Sequence, residues 1–127
     1  MTLICPYCEA EAKLIKDSSV VYHKDYGPLW ACLPCDAWVG CHPGTTKPLG
    51  RIASKELRDA KVAAHLAFDP LWRRKMTEQG WKRRSARSMG YKWLAMRMDL
   101  TREACHIGMF NVEQCRRVVD ICEKYLK

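Results

Sequence analysis

Eight cysteines stand in this chain of 127 residues, and four of them form two pairs of identical spacing, Cys5-Pro6-Tyr7-Cys8 and Cys32-Leu33-Pro34-Cys35. Two residues between thiols let one tight turn aim both sulfurs at a single point, and Pro6 and Pro34 suit such turns. Two turns of this kind make a closed tetrahedral set of thiolates. That is the donor chemistry of a structural zinc ion, with no position left open for catalysis. The 23 residues between Cys8 and Cys32 are slightly more than the pattern usually carries, yet they accommodate a strand hairpin. The spacing therefore predicts one Zn2+ on Cys5, Cys8, Cys32 and Cys35. Two alternatives stay open: Cys41, His42 or His23 replaces one ligand, or the paired thiols are core or redox groups.

The other four cysteines, Cys41, Cys105, Cys115 and Cys122, are scattered. Two of them sit in Cys-His dipeptides, Cys41-His42 and Cys105-His106. If these meet in space they make a second metal or functional site; lone cysteines otherwise bury as small hydrophobes. Thr45, Thr46 and Lys47 lie between glycines, but the residue order of a phosphate-binding loop is absent. His65 reads as a structural side chain. His42, His65, His106 and Asp69 are candidates for a metal-dependent nuclease centre, but no recognisable spacing links them. The sequence thus argues for a binding protein more than for an enzyme.

Charge is the second chemical signal. The formal net charge is +8, and the whole excess lies in residues 73–97, where nine Lys/Arg face Glu78 alone. The flanking segments 1–72 and 98–127 are each balanced. Four thiolates on a divalent ion would lower the total to about +6 without touching this segment. Arg73, Arg74, Lys75, Lys82, Arg83, Arg84, Arg87 and Lys92 are therefore candidate phosphate ligands: each neutralised phosphate releases counterions, and Arg grips with two hydrogen bonds. Trp72, Trp81 and Tyr91 are interleaved with them and are candidates to stack on exposed bases. The competing reading is a solvated helical face, although one acid among nine bases is an unusual way to make one.

Elements that position these groups follow from pattern. Residues 12–16 and 20–23 read as strands joined by Lys16-Asp17-Ser18-Ser19, with a second turn at Asp25-Tyr26-Gly27-Pro28. Residues 29–32 and 37–41 complete a small antiparallel sheet, and residues 41–50 form a loop broken by two Pro and two Gly. Ser54 caps a helix over 55–68 with Leu57, Ala60, Ala64 and Phe68 on its apolar face. Asp69-Pro70 restarts a helix and Gly80 breaks it. A further helix covers 82–98, with Ala86, Met89, Trp93 and Met96 on the apolar side and Gly90 weakening its middle. Asn111 and Gln114 form a capping box opening a last helix to about Tyr125, on which Cys115, Val118, Val119 and Cys122 share a face.

The expected class is α+β: a small N-terminal antiparallel zinc ribbon with its loop (1–50), packed with three or four C-terminal helices (51–127) as one compact unit. The start Met1-Thr2-Leu3-Ile4-Cys5-Pro6 has neither the basic residues nor the apolar run of a signal peptide. No stretch reaches the roughly 18 apolar residues of a membrane helix. A cytoplasmic setting with reduced thiols is expected.

Two stretches, taken in order, carry a resemblance. One is Cys-Pro-Tyr-Cys, then Leu-Trp-Ala-Cys-Leu-Pro-Cys-Asp-Ala-Trp-Val-Gly-Cys-His-Pro-Gly-Thr, Pro-Leu-Gly, Leu57-Arg58 and Phe-Asp-Pro-Leu-Trp. The other is Tyr91-Lys92-Trp93-Leu94-Ala95 followed by Cys105-His106-Ile107-Gly108-Met109-Phe110 and Cys115. Together they resemble a family of small zinc-finger-containing proteins carried by bacteriophages and prophages. The resemblance implies a zinc ribbon fused to a helical part, working in a bacterial cytoplasm. It supports Cys5, Cys8, Cys32 and Cys35 as ligands and places both Cys-His dipeptides inside family motifs. A phage setting implies either a protein that handles DNA or RNA or one that binds and disarms a host factor. The composition favours nucleic acid, with a host protein as the alternative partner.

Overall fold

The computed structural model describes residues 2–126. The chain divides into two compact units, Met1–Arg58 and Asp59–Lys127.

Three short strands, β1 (Lys13–Ile15), β2 (Leu29–Cys32) and β3 (Ala37–Gly40), form an antiparallel sheet in the order β1-β2-β3. The register sets Leu14 opposite Trp30 and Trp30 opposite Val39. Alternation then gathers Ala12, Trp30, Ala37 and Ile52 into a buried cluster, with Leu3, Leu14 and Val39 packed against it. Ala53 exchanges both backbone hydrogen bonds with Trp38, at 3.0 and 3.1 Å, so the ribbon extends past residue 50.

Residues 20–23 are not a strand. Asp17 accepts a hydrogen bond from the Ser19 N–H at 2.9 Å and opens a single 3-10 turn over Ser18–Val20. Asp25 accepts from the N–H groups of Gly27 (2.9 Å) and Ser18 (3.2 Å), and the Tyr26 N–H donates to the Ser18 hydroxyl at 2.6 Å. The N–H bonds to Asp25, that of Gly27 first, hold its carboxyl below its ordinary range. Side chains thus fix both flanks of the segment, and within it the Val21 and Tyr22 N–H groups turn back onto the Ser18 carbonyl at 3.0 and 2.9 Å, as a strand ladder would not allow.

The second unit rests on helices. Helix α1 (Lys55–Gln79) opens where the Ser54 hydroxyl accepts from the Leu57 N–H at 3.3 Å, and it runs unbroken through Pro70. Two helices were expected here, but Ala64, Phe68 and Trp72 are all buried, four residues apart, so the apolar face keeps its phase across the proline. Pro inside a helix costs about 3 kcal/mol. Burial of Phe68 and Trp72 returns about 1.5–3 kcal/mol each. Gly80, at φ +69°, follows the end of the helix.

Helix α2 (Arg83–Met98) buries Ala86, Tyr91, Leu94, Ala95 and Met98. The apolar face expected from Met89 and Met96 is thus out of phase: these two are 48% and 81% exposed. Helix α3 (Val112–Tyr125) opens on the full Asn111/Gln114 capping box, with the reciprocal bonds at 2.8 and 3.0 Å, and buries Cys115, Val118 and Cys122. Ile107 and Phe110, on the segment before it, are also buried.

Close approach of α1 and α2 depends on Gly90. A methyl group there would lie 2.9 Å from Trp72 Cβ and 3.3 Å from the Phe68 ring. Trp72 Cβ is fixed to the backbone of α1 and cannot swing aside. Ala normally gains about 1 kcal/mol over Gly in a helix interior, whereas forced overpacking costs about 1–3 kcal/mol. Gly90→Ala should therefore lower stability by about 1–2 kcal/mol in urea denaturation; an increase would show that the helices separate freely at this point.

Candidate metal centre and basic surface

Each cysteine pair of the ribbon sits on a tight turn. In the first, the Glu9 N–H donates to the Cys5 carbonyl at 2.9 Å and the Cys5 N–H donates to the Ala10 carbonyl at 2.8 Å. In the second, Leu33–Cys35 is a 3-10 turn closed by the Asp36 N–H on the Leu33 carbonyl at 3.0 Å. The residue after each second cysteine is left-handed, Glu9 at φ 64° and Asp36 at φ 52°. That conformation costs an L-residue about 1–2 kcal/mol, and both turns adopt it at the same place.

The result is convergence of four sulfurs. Cys5, Cys8, Cys32 and Cys35 lie with all Sγ atoms within 4.8 Å of one another, and Cys8 and Cys32 are 3.6 Å apart. A tetrahedral ion with Zn–S bonds of about 2.3 Å sets its sulfurs about 3.8 Å apart. The cluster fits that size, and 3.6 Å is far beyond a disulfide bond of about 2.05 Å.

Electrostatics point the same way. The Cys8 and Cys32 sulfurs, followed by burial, push the Cys35 thiol up to about 12. For Cys32 the Cys35 backbone N–H favours the thiolate, but burial and the Cys8 and Cys5 sulfurs outweigh it and the thiol is raised. At Cys5 burial opposes ionisation, yet hydrogen bonds from the Tyr7 and Cys8 N–H groups and from neighbouring thiols hold it below its ordinary value. Four sulfurs this close cannot all carry charge unless a cation lies among them. The donor set suits Zn2+: the four thiolates would close its coordination shell, and the metal would supply a cross-link rather than a reactive position.

Among the described residues these four are the group of His, Cys, Asp and Glu donors placed to hold a metal. Cys41 and His42 belong to the first unit, where Cys41 bridges to Pro48 and the His42 N–H donates to the Lys47 carbonyl at 2.9 Å. Cys105 and His106 belong to the second. Burial pushes the Cys41, Cys105 and Cys115 thiols up, and that of Cys122 to about 11, the behaviour of small core side chains.

The basic candidates divide by exposure. Arg73, Arg74, Lys82, Arg83, Arg84, Arg87, Lys92 and Arg97 are exposed and Lys75 is half-buried. Trp81, 38% exposed, lies in the link between α1 and α2. Tyr91 is 2% exposed, its ring 4.7 Å from that of Phe68, so the expectation that it stacks on bases is corrected: it is a core residue. Trp72 is buried as well. The Arg87 and Arg102 guanidinium groups lie 4.9 and 5.0 Å from the Tyr91 ring. Trp93, expected on the apolar side of its helix, is half-buried, its ring 5.0 Å from Tyr125 and 5.5 Å from the Arg97 guanidinium. Among the described residues, no helix is long and apolar enough to cross a membrane.

A family model described as a zinc-finger-containing domain matches residues 1–125, and the chain belongs to that family. No curated protein and no solved structure matches the chain.

Three outcomes are expected at the metal centre. Cys8→Ser or Cys32→Ser should abolish stoichiometric zinc and unfold the ribbon, read by elemental analysis and near-ultraviolet circular dichroism; full zinc content with an unchanged melting temperature would refute the assignment. Zinc loading displaces protons from thiols that the metal-free cluster holds protonated, so affinity should rise with pH between about 6 and 8 in chelator competition. Glu9→Gly should relieve the left-handed strain and stabilise the zinc-loaded protein by about 0.5–1 kcal/mol in thermal melts.

Proposed function

We propose that this member of the zinc-finger-containing family binds nucleic acid, DNA or RNA, mainly through the phosphate backbone. The reading rests on one observation: a 25-residue segment with nine bases and one acid, nearly all of its cations exposed. Surface carboxylates do little to neutralise it. Half-buried Asp69 lies 3.9 Å from exposed Arg73, and exposed Glu78 lies 3.9 Å from exposed Arg74; both pairs are long and worth little in water. Arg83, Arg84 and Arg87 have no carboxylate partner among the described residues. They occupy the start of α2, whose first turn has no acidic residue and whose Lys82 N-cap makes no side-chain capping bond. Cations there oppose the helix dipole, and an anion at this end would be favoured by both.

Backbone contacts of this kind give affinity with little sequence preference. The ribbon, held by zinc, is a scaffold in this account and contributes no catalytic group. A phage or prophage setting, with the bacterial cytoplasm as the place of action, is consistent with the motif resemblance. A zinc-finger domain is likewise compatible with nucleic-acid binding.

One observation favours a second reading, a module that binds a host protein. Val62 and Leu66 on α1 are 58% and 71% exposed, an apolar stripe that a protein surface could cover.

Salt dependence decides between them. Zinc-loaded protein should bind short DNA or RNA with micromolar or tighter affinity at about 50 mM salt, and log affinity should fall linearly with log salt. Replacing Arg83, Arg84 and Arg87 together should weaken binding at least tenfold and flatten the slope by about 2–3, with the melting temperature unchanged. Absence of binding at 50 mM salt would overturn the nucleic-acid reading.

A further inference from the structure

The helical unit carries a cavity in which aromatic and basic side chains meet. It holds about 200 Å3. Buried Phe68 and Trp72 line it together with the more exposed Trp81, Met89, Trp93 and Tyr125. Lys75 contributes the one charged side chain of the lining. A shallower depression lined by Trp81, Lys82, Ser85 and Met89 shares two of these residues, so the cavity opens towards the basic start of α2.

Size, chemistry and charge each narrow the occupant. An apolar cavity of about 150 Å3 takes up a benzene ring, whereas drug-sized ligands fill about 300–1,000 Å3; the space suits one planar ring system. Three indole N–H groups of the chain are satisfied: Trp30 on Thr46, Trp38 on Tyr22 and Trp72 on Asp69. Those of Trp81 and Trp93 have no partner among the described residues, which leaves two donors on lining residues for the edge of a polar ring. Three cations stand beside the cavity: Lys75 in its lining, Lys82 in the adjoining depression, and Arg83, whose guanidinium lies 5.2 Å from the Trp72 ring. A protein side chain entering the cavity need bring no negative charge. A nucleotide in a strand always brings a phosphate on each side of its base.

On these grounds, and resting on the phosphate-binding reading above, we infer that the cavity receives one unstacked base of a single strand. Trp81 supplies the stacking face, and the cations of residues 75–84 hold the flanking phosphates. A duplex keeps its bases paired and engages the cations alone, so single strands are bound more tightly than duplexes of equal length.

The test compares 12-nucleotide single strands of DNA and RNA with abasic backbones of the same length and charge, using the zinc-loaded full chain at about 100 mM salt. The intact strand should bind about tenfold more tightly than its abasic counterpart. Trp81→Ala should erase that difference, and Trp81→Phe should retain most of it. Equal affinity of the native protein for intact and abasic strands, both salt-dependent, would overturn base insertion and leave phosphate binding standing. Failure of every strand to bind at 50 mM salt would overturn both, and would turn the cavity towards an aromatic side chain of a protein partner. The first comparison needs no variant, so it holds even if Trp81→Ala fails to fold.

Discussion

Repulsion among four sulfurs is the constraint on which the ribbon depends. Cys5, Cys8, Cys32 and Cys35 converge to within 4.8 Å, and the chain spends conformational energy to bring them there, holding Glu9 and Asp36 in left-handed geometry. Without a cation, proximity drives the Cys35 thiol to about 12. With one, the same proximity becomes a cross-link between the start of the chain and the β2–β3 turn. Apolar burial supports the cross-link through the cluster of Ala12, Trp30, Ala37 and Ile52, but a segment of this length rarely folds on apolar burial alone.

The helical unit solves its folding problem by packing alone. Phe68, Trp72 and Tyr91 supply large apolar area, and Gly90 lets the two helices approach closely enough for them to interlock. That closeness explains why α1 tolerates Pro70: the residues on either side of it are anchored on one face. It also explains Gly90, which reads in isolation as a flaw in a helix and is in the structure a contact point. Cys105, Cys115 and Cys122 fill the remaining interior as compact, unreactive side chains.

How much of this was legible depended on whether the signal was local. The cysteine turns are local, fixed by two-residue spacing and by proline, and the four sulfurs converge. The Asn111/Gln114 capping box is local too, and α3 begins where it predicts. Residues 20–23 misled because Val20, Val21 and Tyr22 carry strand propensity while Asp17, Ser18 and Asp25 settle the backbone by side-chain hydrogen bonds. The phase of α2 was hidden for a different reason. Its hydrophobic residues lie all around the helix, so Met89 and Met96 could be counted as core only by leaving out Tyr91. Choosing the buried face required knowing that Phe68 would lie against Tyr91, a contact between residues 23 apart. The cavity beside Trp93 was beyond the sequence for the same reason.

Charge segregation is the feature that packing does not explain. Nine cations placed along one 25-residue segment repel one another, and a surface needing only solubility would intersperse acids among them. Part of the repulsion is offset from beneath. Arg73 and Arg83 lie 5.3 and 5.2 Å from the Trp72 ring, Arg87 lies 4.9 Å from Tyr91, and Arg97 lies 5.5 Å from Trp93. Each aromatic face is worth about 0.5–1 kcal/mol to an exposed cation. Because Trp72 and Tyr91 are buried while the guanidinium groups above them remain exposed, the same residues that close the core also hold the arginines at the surface. A side chain held in one position loses less entropy when it meets a phosphate. The helical core therefore preorganises the cationic surface, and the self-repulsion that persists is the part a polyanion would relieve.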